Sequence, residues 1–314
     1  MLHVRVASPS GQTAQIVSLL ADSPGVVNLV VLPGAAREPA GDAVQFDLSV
    51  ASANPVLRQL RALRPHDAGP IAIEAVDATI GAGELDRPRH NARRGRTFQN
   101  ETAPIWDLVE SKVEADSVYA PSWYTLLALA GVIGAVGILT NSTILIVGAM
   151  VVGPEYSAII AVAMGIERHD HAAVGRGLRA LLVGFVIAIV VTFVFSLFIR
   201  LIGEVPEAYR DGLRPVSDLI NSPDMFSVII AVAAGIIGVV SLTEARAGAL
   251  IGVFISVTTI PAAADIGLSV AFQSWRAARG STFQLLLNVV LLILVGAAAL
   301  RSQRLLWRDR RRGS

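Results

Sequence analysis

The sequence predicts an α-helical polytopic membrane domain of about six spans, preceded by a small α+β domain of the ferredoxin-like class on the cytoplasmic side. Two observations favour a membrane protein. Only 16% of the residues are charged and the mean hydropathy is +0.59, whereas soluble domains carry about 25% charged residues. Most of the apolar residues lie in segments of about 20 residues, the length that a helix needs to cross a bilayer. The N-terminal part instead alternates between short apolar strands and amphipathic helices.

The composition excludes several classes of site. The chain has no cysteine, so disulfides, thiolate nucleophiles, zinc–thiolate sites and iron–sulfur clusters are excluded. The spans contain no zinc-protease motif and no paired acids at catalytic spacing, and we therefore expect neither an enzyme nor a cofactor. The net charge of +1 indicates no global electrostatic partner. Met1–Ser10 lacks the basic and apolar run of a signal peptide, so the N-terminus is expected to stay in the cytoplasm.

Residues 1–84 are predicted to form the soluble domain. The apolar patterns indicate four strands and two helices in the order βαββαβ, which is that of a ferredoxin-like sandwich. Pro33-Gly34 is expected to end the second strand, and Asn54-Pro55 to begin the second helix. The predicted strands are Leu2–Val6, Val26–Leu32, Ala43–Val50 and Ile71–Ile80. No phosphate-binding loop or catalytic triad is present, so we expect a structural or regulatory role.

A basic linker, residues 85–121, is predicted to connect the two domains. Arg87–Arg96 contains five arginines, which is typical of a solvated segment or of one that docks on anionic lipid headgroups. Nucleic acid is not expected as a partner, because no stacking aromatic side chains are interleaved with the arginines. Ala103–Val118 has apolar residues on one helical face, and Trp106 suits the headgroup region. The sequence therefore predicts an interfacial helix before the first span.

Residues 122–302 are predicted to form the transmembrane domain, and residues 303–314 a basic cytoplasmic tail that also meets anionic lipids. The loop Glu167–Arg179 is rich in arginine, and the loop Gly203–Asp224 is acidic on balance. Since cytoplasmic loops carry an excess of arginine and lysine, both termini are expected on the cytoplasmic side of a cell inner membrane. The predicted spans are Ser122–Thr140, Thr143–Ile166, Leu178–Ile202, Phe226–Leu242, Ala247–Phe272 and Thr282–Leu300.

The second predicted span is interrupted at its centre. Gly153-Pro154 lies there and is followed at once by Glu155. Proline removes a backbone donor and clashes with the preceding turn, so the helix must kink or break. In lipid, such a break is tolerated only where protein or a water-filled cavity satisfies the freed carbonyl groups. A carboxylate at this depth is costly and marks a candidate functional site.

The fourth and fifth spans repeat features of the first and second. Ala128–Ser142 aligns without a gap on Ala231–Ala245, and the fifth span is broken at Pro261, with Asp265 after it. Three spans per copy is an odd number, so the second copy enters the membrane inverted. Interrupted helices in inverted repeats are typical of secondary transporters with a site at the bilayer midplane. Chance similarity between segments rich in alanine, glycine and isoleucine is the alternative.

Long stretches of the predicted membrane domain resemble a known family. They are NSTILIVGAMVVGPEYSAI (Asn141–Ile159), GALIGVFISVTTIPAAADIGLS (Gly248–Ser269), the segment Arg214–Asp218, and Asn288. On these residues the chain is similar to the domain of unknown function 389 family of bacterial and archaeal membrane proteins, over the region Trp106–Leu300. The chain departs from that family at Glu155-Tyr156-Ser157-Ala158, where a second proline is common, and at Pro261-Ala262, where prolines are often paired. The resemblance implies a polytopic membrane architecture and no particular activity.

The candidate site residues lie at the two breaks and in the last span. Glu155 is expected either to bind a cation or proton, or to pair with an arginine or with free amides at a helix N-terminus. The hydroxyl groups before Pro261 either satisfy carbonyls of their own helix or coordinate a ligand. Asp265 is expected at the outer end of its helix, where water stabilises its charge, and Asn288 suits interhelical hydrogen bonding as well as ligand binding. The predicted substrate- or ion-binding residues are Gly153, Pro154, Glu155, Tyr156, Ser256, Thr258, Thr259, Pro261, Asp265 and Asn288.

Two further polar segments each have a structural and a functional interpretation. Asn141, Ser142 and Thr143 are expected to form a turn and helix cap, or else an extracellular gate. His169 and His171 are expected to lie in a solvated cytoplasmic turn, although both side chains can bind metals. No further ligand cluster accompanies them in the sequence, so no metal site is predicted.

Three functions remain, in order of preference. The first is a secondary transporter or channel-like permease for an ion or small solute, regulated by its cytoplasmic domain. The second is a non-transporting membrane scaffold or sensor whose soluble domain reads a cytoplasmic ligand or partner. The third, a membrane enzyme, has no motif in its favour. A closed homo-oligomer is the default expectation for the assembly, and water access to the two proline breaks discriminates between the first two functions.

Overall fold

The computed structural model of the chain describes residues 1–63, 69–76, 106–243 and 259–312. The chain divides into two units, Met1–Glu110 and Ser111–Ser314. Three of the predicted features lie outside the described residues: the basic segment Arg87–Arg96 and the hydroxyl groups of Ser256 and Thr258. The expectations for them therefore stay predictions.

The N-terminal unit has the order of strands and helices that the sequence predicts. Its elements are β1 (Leu2–Ser8), α1 (Ser10–Ala21), β2 (Val26–Arg37), β3 (Ala40–Leu48), α2 (Val50–Leu63) and β4 (Ile71–Ala75). The strands form one antiparallel sheet in the order β2-β3-β1-β4. Residues two apart share one face of a strand, and Val4 and Phe46, which pair across β1 and β3, are both fully buried. Apolar residues of α1 and α2 complete this core, and the order βαββαβ is confirmed.

The second strand is longer than predicted. It does not end at Pro33-Gly34 but continues to Arg37. Its pairing with β3 shifts register between Leu32 and Ala36, as at a β-bulge, and Gly34 has a φ of +65° there. Glycine adopts this left-handed conformation without the steric cost that a side chain brings. The strand therefore passes through a segment that the sequence marks as a turn.

The second helix begins earlier than predicted. α2 starts at Val50 and not after Asn54, so Pro55 lies inside the helix. The carbonyl group of Ser49 accepts a hydrogen bond from the amide of Ser52, which closes a turn before the proline is reached. Proline has no amide hydrogen, so its position inside α2 removes one helical hydrogen bond.

The described residues of the C-terminal unit are helical apart from the turns between helices. The helices are α3 (Trp106–Asp116), α4 (Pro121–Leu139), α5 (Thr143–Val152), α6 (Glu155–Arg168), α7 (His171–Ile202), α8 (Glu207–Arg210), α9 (Pro215–Ile220), α10 (Met225–Thr243), α11 (Ile260–Ala271) and α12 (Trp275–Arg312). The unit boundary falls inside α3. Four helices, α4, α7, α10 and α12, are long and apolar enough to cross a membrane, and the bent pair α5 and α6 counts as a fifth. The prediction of a polytopic helical membrane domain is confirmed at this level.

The predicted break in the second span is present. α5 ends at Val152 and α6 begins at Glu155, and the two helices are bent by 54° at the break. Gly153 leaves the helical conformation with a ψ of 124°, and Pro154 is the cap residue before α6. Proline is favoured at a helix start, because the amides there have no helical acceptor. The interruption of this span at Pro154 is thus confirmed.

Contacts between loops and between helix ends mark two ends of the helical unit. At one end, the Asn141 amide donates to a carbonyl of the α7–α10 connection (3.3 Å), and Arg214 Nη1 donates to Ser274 Oγ (2.8 Å). At the other end, Arg304 on α12 forms an ion pair of 3.3 Å with Glu167 on α6. α7 has 32 residues and separates the two ends by about 48 Å. The α5–α6 pair, α7 and α12 therefore run between opposite ends of the unit.

Helices α4 and α10 match in length and in their buried positions. Both have 19 residues, and α10 begins 104 positions after α4 (225 − 121). Each of the seven buried residues of α10 lies 104 positions after a buried residue of α4. The turns after α6 and α11 show the same offset, with His169 and Gln273 in the left-handed conformation. The predicted gapless alignment of Ala128 on Ala231 has an offset of 103 residues (231 − 128) and pairs a half-buried position with a fully buried one, whereas the buried positions of the two helices match at an offset of 104.

The surface of α7 is divided between an exposed apolar face and a packed face. The packed face is made of small side chains, and Ala188, Thr192 and Ser196 are buried. Side chains at four-residue spacing on the other face are 51–68% exposed, namely Leu182, Val186, Val190, Val194 and Phe198. A continuous exposed apolar stripe is typical of a face that contacts lipid, because contact of such a surface with water is unfavourable.

Candidate functional site

Residues at the starts of α6 and α11 meet in the core of the helical unit. Thr259 Oγ1 donates a hydrogen bond of 2.8 Å to Glu155 Oε1. Both residues are fully buried. Glu155 is the first residue of α6, and Thr259 is the cap residue before α11. Two helix N-termini thus meet at one carboxylate, and the positive ends of their dipoles favour its negative charge.

A carbonyl group at the break is satisfied by side chains. Trp123 Nε1, on α4, donates to Pro154 O (3.1 Å) and to Ser157 Oγ (3.2 Å). Ser157 Oγ in turn donates to Pro154 O (3.0 Å). Backbone groups at membrane depth need such partners, because lipid offers none. The Trp123 indole therefore connects α4 to the break between α5 and α6 by hydrogen bonds.

Tyr156 and Gly153, at the break, lie close to α10 and α11 respectively. Tyr156 Oη donates to Gly238 O on α10 (3.0 Å). A Cβ atom at Gly153 would lie 2.5 Å from Glu155 Oε2 and 2.9 Å from the Ile260 side chain. Any larger residue would collide there, so glycine permits the close approach of α11 to the break.

Asp265 is buried, and the expectation that it lies at the outer end of its helix is wrong. It is the sixth residue of α11 and has no solvent exposure. Its Oδ1 accepts a hydrogen bond from Ser217 Oγ (2.7 Å), and its Oδ2 accepts from Ser281 Oγ (2.6 Å) and Ser269 Oγ (3.4 Å). Hydroxyl groups from α9, α11 and α12 therefore surround the carboxyl group in place of water. We call these four residues the Asp265 cluster.

Aromatic and cationic side chains stack beside the Asp265 cluster. The Arg214 guanidinium lies 4.1 Å from the centre of the Tyr209 ring, and that ring meets Phe272 edge to face at 5.1 Å. The Arg200 guanidinium lies 5.9 Å from the centre of the Phe272 ring. Burial raises the pKa of the Tyr209 phenol to about 12, so the ring stays neutral. Cation–π and edge-to-face contacts hold the α7–α10 connection against the end of α11.

The turn after α4 has the structural role that the sequence predicts. Ser142 Oγ accepts a hydrogen bond from the Leu145 amide (3.4 Å) and caps α5, of which Thr143 is the first residue. Asn141 has a φ of +52°, a left-handed conformation that asparagine tolerates. The turn and cap are confirmed, and the gate stays a prediction. Asn288 is fully buried on α12, and its role as a ligand also stays a prediction.

The segment His169-Asp170-His171 forms a helix boundary. Asp170 Oδ1 accepts hydrogen bonds from the amides of Ala172 and Ala173, both at 3.0 Å. These bonds, that from Ala173 first, hold the pKa of Asp170 below its ordinary value. Among the residues that the structure describes, no three histidine, aspartate or glutamate side chains are grouped so that they could hold a metal ion.

Sequence reasoning missed the serines around Asp265 and the tryptophan at the break. Ser269 follows Asp265 by one helical turn, so the four-residue spacing could have indicated it. Ser217 and Ser281 lie 48 and 16 residues away in sequence, and no local pattern pairs them with an acid. Trp123 shows only the amphipathic character of a residue near a span end.

Comparison with known proteins bears on the family alone. No curated protein and no solved structure matches the chain. A family model described as Domain of unknown function (DUF389) matches residues 150–294, a segment that contains the Glu155–Thr259 contact and the Asp265 cluster. The resemblance to this family is thereby confirmed for residues 150–294.

Proposed function

We propose that the C-terminal unit is a secondary transporter or channel-like permease for an ion or small solute, built from two inverted copies of three spans. In this proposal the unit crosses a cell inner membrane six times, and α11 forms part of the fifth span. Both termini lie in the cytoplasm, and the N-terminal ferredoxin-like domain regulates transport. Anionic lipids meet Arg87–Arg96 and the basic end of α12, and the protein forms a homo-oligomer.

Helix packing supports the inverted repeat. α4 packs on α7 as α10 packs on α12, and α6 packs on α7 as α11 packs on α12. Between the two copies, α11 packs on α7 and α6 packs on α12. Exchange of the copies leaves this set of contacts unchanged, as an internal two-fold axis requires. α4 also packs on α11, and the equivalent helices, α10 and α6, meet at the Tyr156–Gly238 hydrogen bond.

Individual contacts follow the same exchange at an offset of 104 residues. A Cβ atom at Gly267 would lie 2.9 Å from Thr192 Cβ, and one at Gly296 would lie 3.2 Å from Ala163 Cβ. Gly296 lies 104 positions after Thr192, and Gly267 lies 104 positions after Ala163. The two pairs therefore occupy equivalent positions. When the copies are exchanged, the crossing of α11 with α7 corresponds to the crossing of α12 with α6. Small residues at both crossings let the helix backbones approach closely.

The Glu155–Thr259 hydrogen bond lies on the proposed axis. The two residues are 104 positions apart, so they are equivalent positions of the two copies. Equivalent residues touch each other only where the axis passes between them. Interrupted helices that meet near the bilayer centre are typical of the sites of secondary transporters. This contact is the observation that carries the proposal.

A non-transporting scaffold or sensor is the second candidate function. The closed packing around Glu155, which has no solvent exposure, favours it, since a transport site must open to water at some stage. The N-terminal unit also has an open cavity of about 660 Å³ between α1 and α2, lined in part by Gln15, Ser18, Asp22 and Gln59. A cavity of this size suits a small polar ligand.

Water access to the break separates the two functions. The chain has no cysteine, so single cysteines report on single positions. Tyr156→Cys and Ala262→Cys probe the two helix starts, and Ala188→Cys, which is buried where α7 packs on Gly131, is the matched control. Each variant is treated in membrane vesicles with an impermeant maleimide. A transporter labels at both helix starts, at rates that a transported ion or solute changes, and stays unlabelled at position 188.

The contrary result is equally specific. Silence at both helix starts, while the exposed position of His171→Cys labels normally, would rule out an aqueous site at the break. The scaffold or sensor would then be the better account, and the prolines would be structural kinks.

A further inference from the structure

The Asp265 cluster gathers oxygen atoms around one carboxylate in the interior of the helical unit. Asp265, Ser269 and Ser281 have no solvent exposure, and Ser217 has 2%. The two shortest hydrogen bonds measure 2.6 and 2.7 Å, a length typical of hydroxyl groups that donate to an ionised carboxylate. Both oxygens of Asp265 act as acceptors. This arrangement suits an ionised carboxylate, which accepts hydrogen bonds at both oxygens.

Asp265 forms no ion pair within 4.0 Å among the residues that the structure describes. Arg214 is nearby, but its Nε donates to Tyr209 O (3.1 Å) and its Nη1 donates to Ser274 Oγ (2.8 Å). An ionised group away from water is strongly unfavourable unless it is paired or bound to a metal ion. Hydroxyl donors reduce this penalty but bring no compensating charge.

We propose that the Asp265 cluster binds a small monovalent cation, Na⁺. Hard cations prefer carboxylate and hydroxyl oxygens as ligands, and the cluster presents both kinds. Each serine hydroxyl has two lone pairs besides the hydrogen that it donates, so it can contact a cation and keep its bond to Asp265. One monovalent cation neutralises the single buried charge, whereas a divalent ion would leave an excess positive charge among apolar helices.

The cluster belongs to only one copy of the proposed repeat. The positions 104 residues before Asp265 and its serines on α11 and α12 hold Ala161, Gly165 and Gly177. The corresponding helix crossing in the first copy is thus built without a polar side chain at these positions. Helix packing does not require a carboxylate and two hydroxyl groups in the second copy, because the first copy packs without them. A bound cation requires oxygen ligands of this kind.

Helix α9 closes the cluster toward one end of the unit. Ser217 is the third residue of α9 and comes from the α7–α10 connection, whereas the other three members lie on α11 and α12. Asn221 at the end of the same short helix donates to Ser217 Oγ (3.5 Å). Asp218, which follows Ser217 on α9, is exposed at that end of the unit. Movement of α9 would therefore open Asp265 to the aqueous side on which Asp218 lies.

Thermal unfolding of the purified full-length protein in detergent tests the site. NaCl is compared with choline chloride at equal ionic strength, which keeps electrostatic screening constant. Saturating Na⁺ is expected to raise the Tm of the wild type by about 5 °C, because a ligand that binds only the folded state stabilises it. Asp265→Asn keeps the size and an acceptor oxygen but removes the charge, and is expected to lose this rise. Asp218→Asn makes the same charge change on an exposed residue and should keep it.

Ser281→Ala gives a second measurement, which carries the test if Asp265→Asn does not fold. It removes one hydroxyl group and keeps the charge, so the Na⁺ concentration at half effect is expected to rise roughly tenfold. Equal Tm values of the wild type in the two salts would overturn the proposal, as would an Asp265→Asn response equal to that of the wild type. A Tm that depends on pH through Asp265 and not on Na⁺ would also overturn it and assign a proton instead.

Cation binding stands without transport, and only its use as the coupling ion rests on the proposed function. A protein that binds Na⁺ while its helix starts stay closed to the maleimide would contradict transport and leave the cation site standing. Labelling at the helix starts without an effect of Na⁺ on the Tm would contradict the cation site and leave the proposed transport standing.

Discussion

The two halves of the helical unit share their packing and differ in their polar side chains. At the centre, Glu155 of the first half meets Thr259 of the second. Away from the centre, the second half carries Asp265 and its serines, where the first half has alanine and glycine. Both halves keep small residues where helices cross. In the proposed repeat, the two copies therefore share their helix crossings, and the buried carboxylate with its serines belongs to one copy only.

The packing of the helices and the chemistry of a binding site therefore depend on different residues. Close helix crossings depend on side-chain size at a few contact points, and substitution there disturbs the whole arrangement. A binding site needs a few polar groups placed on that arrangement. A symmetric scaffold can therefore carry an asymmetric site, as we propose for Asp265.

Gly267→Ala tests the crossing of α11 and α7 and has the largest expected effect. A Cβ atom would lie 2.6 Å from Ile189 O and 2.9 Å from the Phe193 amide nitrogen, and these backbone atoms cannot move aside as a flexible side chain would. We expect the free energy of unfolding in detergent to fall by about 1–3 kcal/mol, the range for overpacking. Gly175→Ala on α7, with no atom within 4 Å of its Cβ, is the control and should show no loss. Equal stability of the two variants would contradict the close crossing.

Trp123→Phe tests the hydrogen bonds at the break of the first half. Phenylalanine keeps an aromatic ring but removes the donor to Pro154 O and Ser157 Oγ. The free energy of unfolding should fall by about 1 kcal/mol, the typical net value of one hydrogen bond. Trp275→Phe, at a residue that is 59% exposed, serves as the control, for which less than about 0.5 kcal/mol is expected. Equal effects at the two tryptophans would argue against a special role of the indole at the break.

Asp170→Asn compares the starts of α7 and α12 and has the smallest expected effect. The amides of Ala173 and Ala172 hold the pKa of Asp170 below its ordinary value of 3.8. A lowered pKa in the folded state stabilises the protein above the ordinary pKa, and this stabilisation is lost as the pH falls through the lowered pKa. The variant should therefore lose less Tm than the wild type on acidification below pH 3.8. Ser274, at the equivalent position before α12, does not titrate, so Ser274→Ala should leave the pH dependence of the wild type unchanged.

Features with a local cause could be predicted from the sequence. The break at Gly153-Pro154 follows from the missing amide of proline, and the cap at Ser142 follows from the preference of serine for free amides. The order of elements in the N-terminal unit follows from apolar periodicity. The turn predicted at Pro33-Gly34 failed because pairing with β3 continues past it, and partner strands are not visible in a local pattern.

Features that depend on distant partners could not be predicted. The burial of Asp265 depends on Ser217 and Ser281, which reach it from separate helices. The register of the proposed repeat could not be predicted either, because segments rich in alanine, glycine and isoleucine match at several offsets. The buried positions of α4 and α10 select one offset, and these are set by packing.

The central claim is that the two halves are inverted copies, and the sidedness of two equivalent positions tests it most directly. His171 and Trp275 are the first residues of α7 and α12, both are exposed, and they lie 104 positions apart. Single cysteines at these positions are labelled with an impermeant maleimide in right-side-out and in inverted vesicles. We predict that His171→Cys labels only in inverted vesicles and Trp275→Cys only in right-side-out vesicles. Labelling of both from the same side would contradict the inverted repeat, and with it the axis between Glu155 and Thr259.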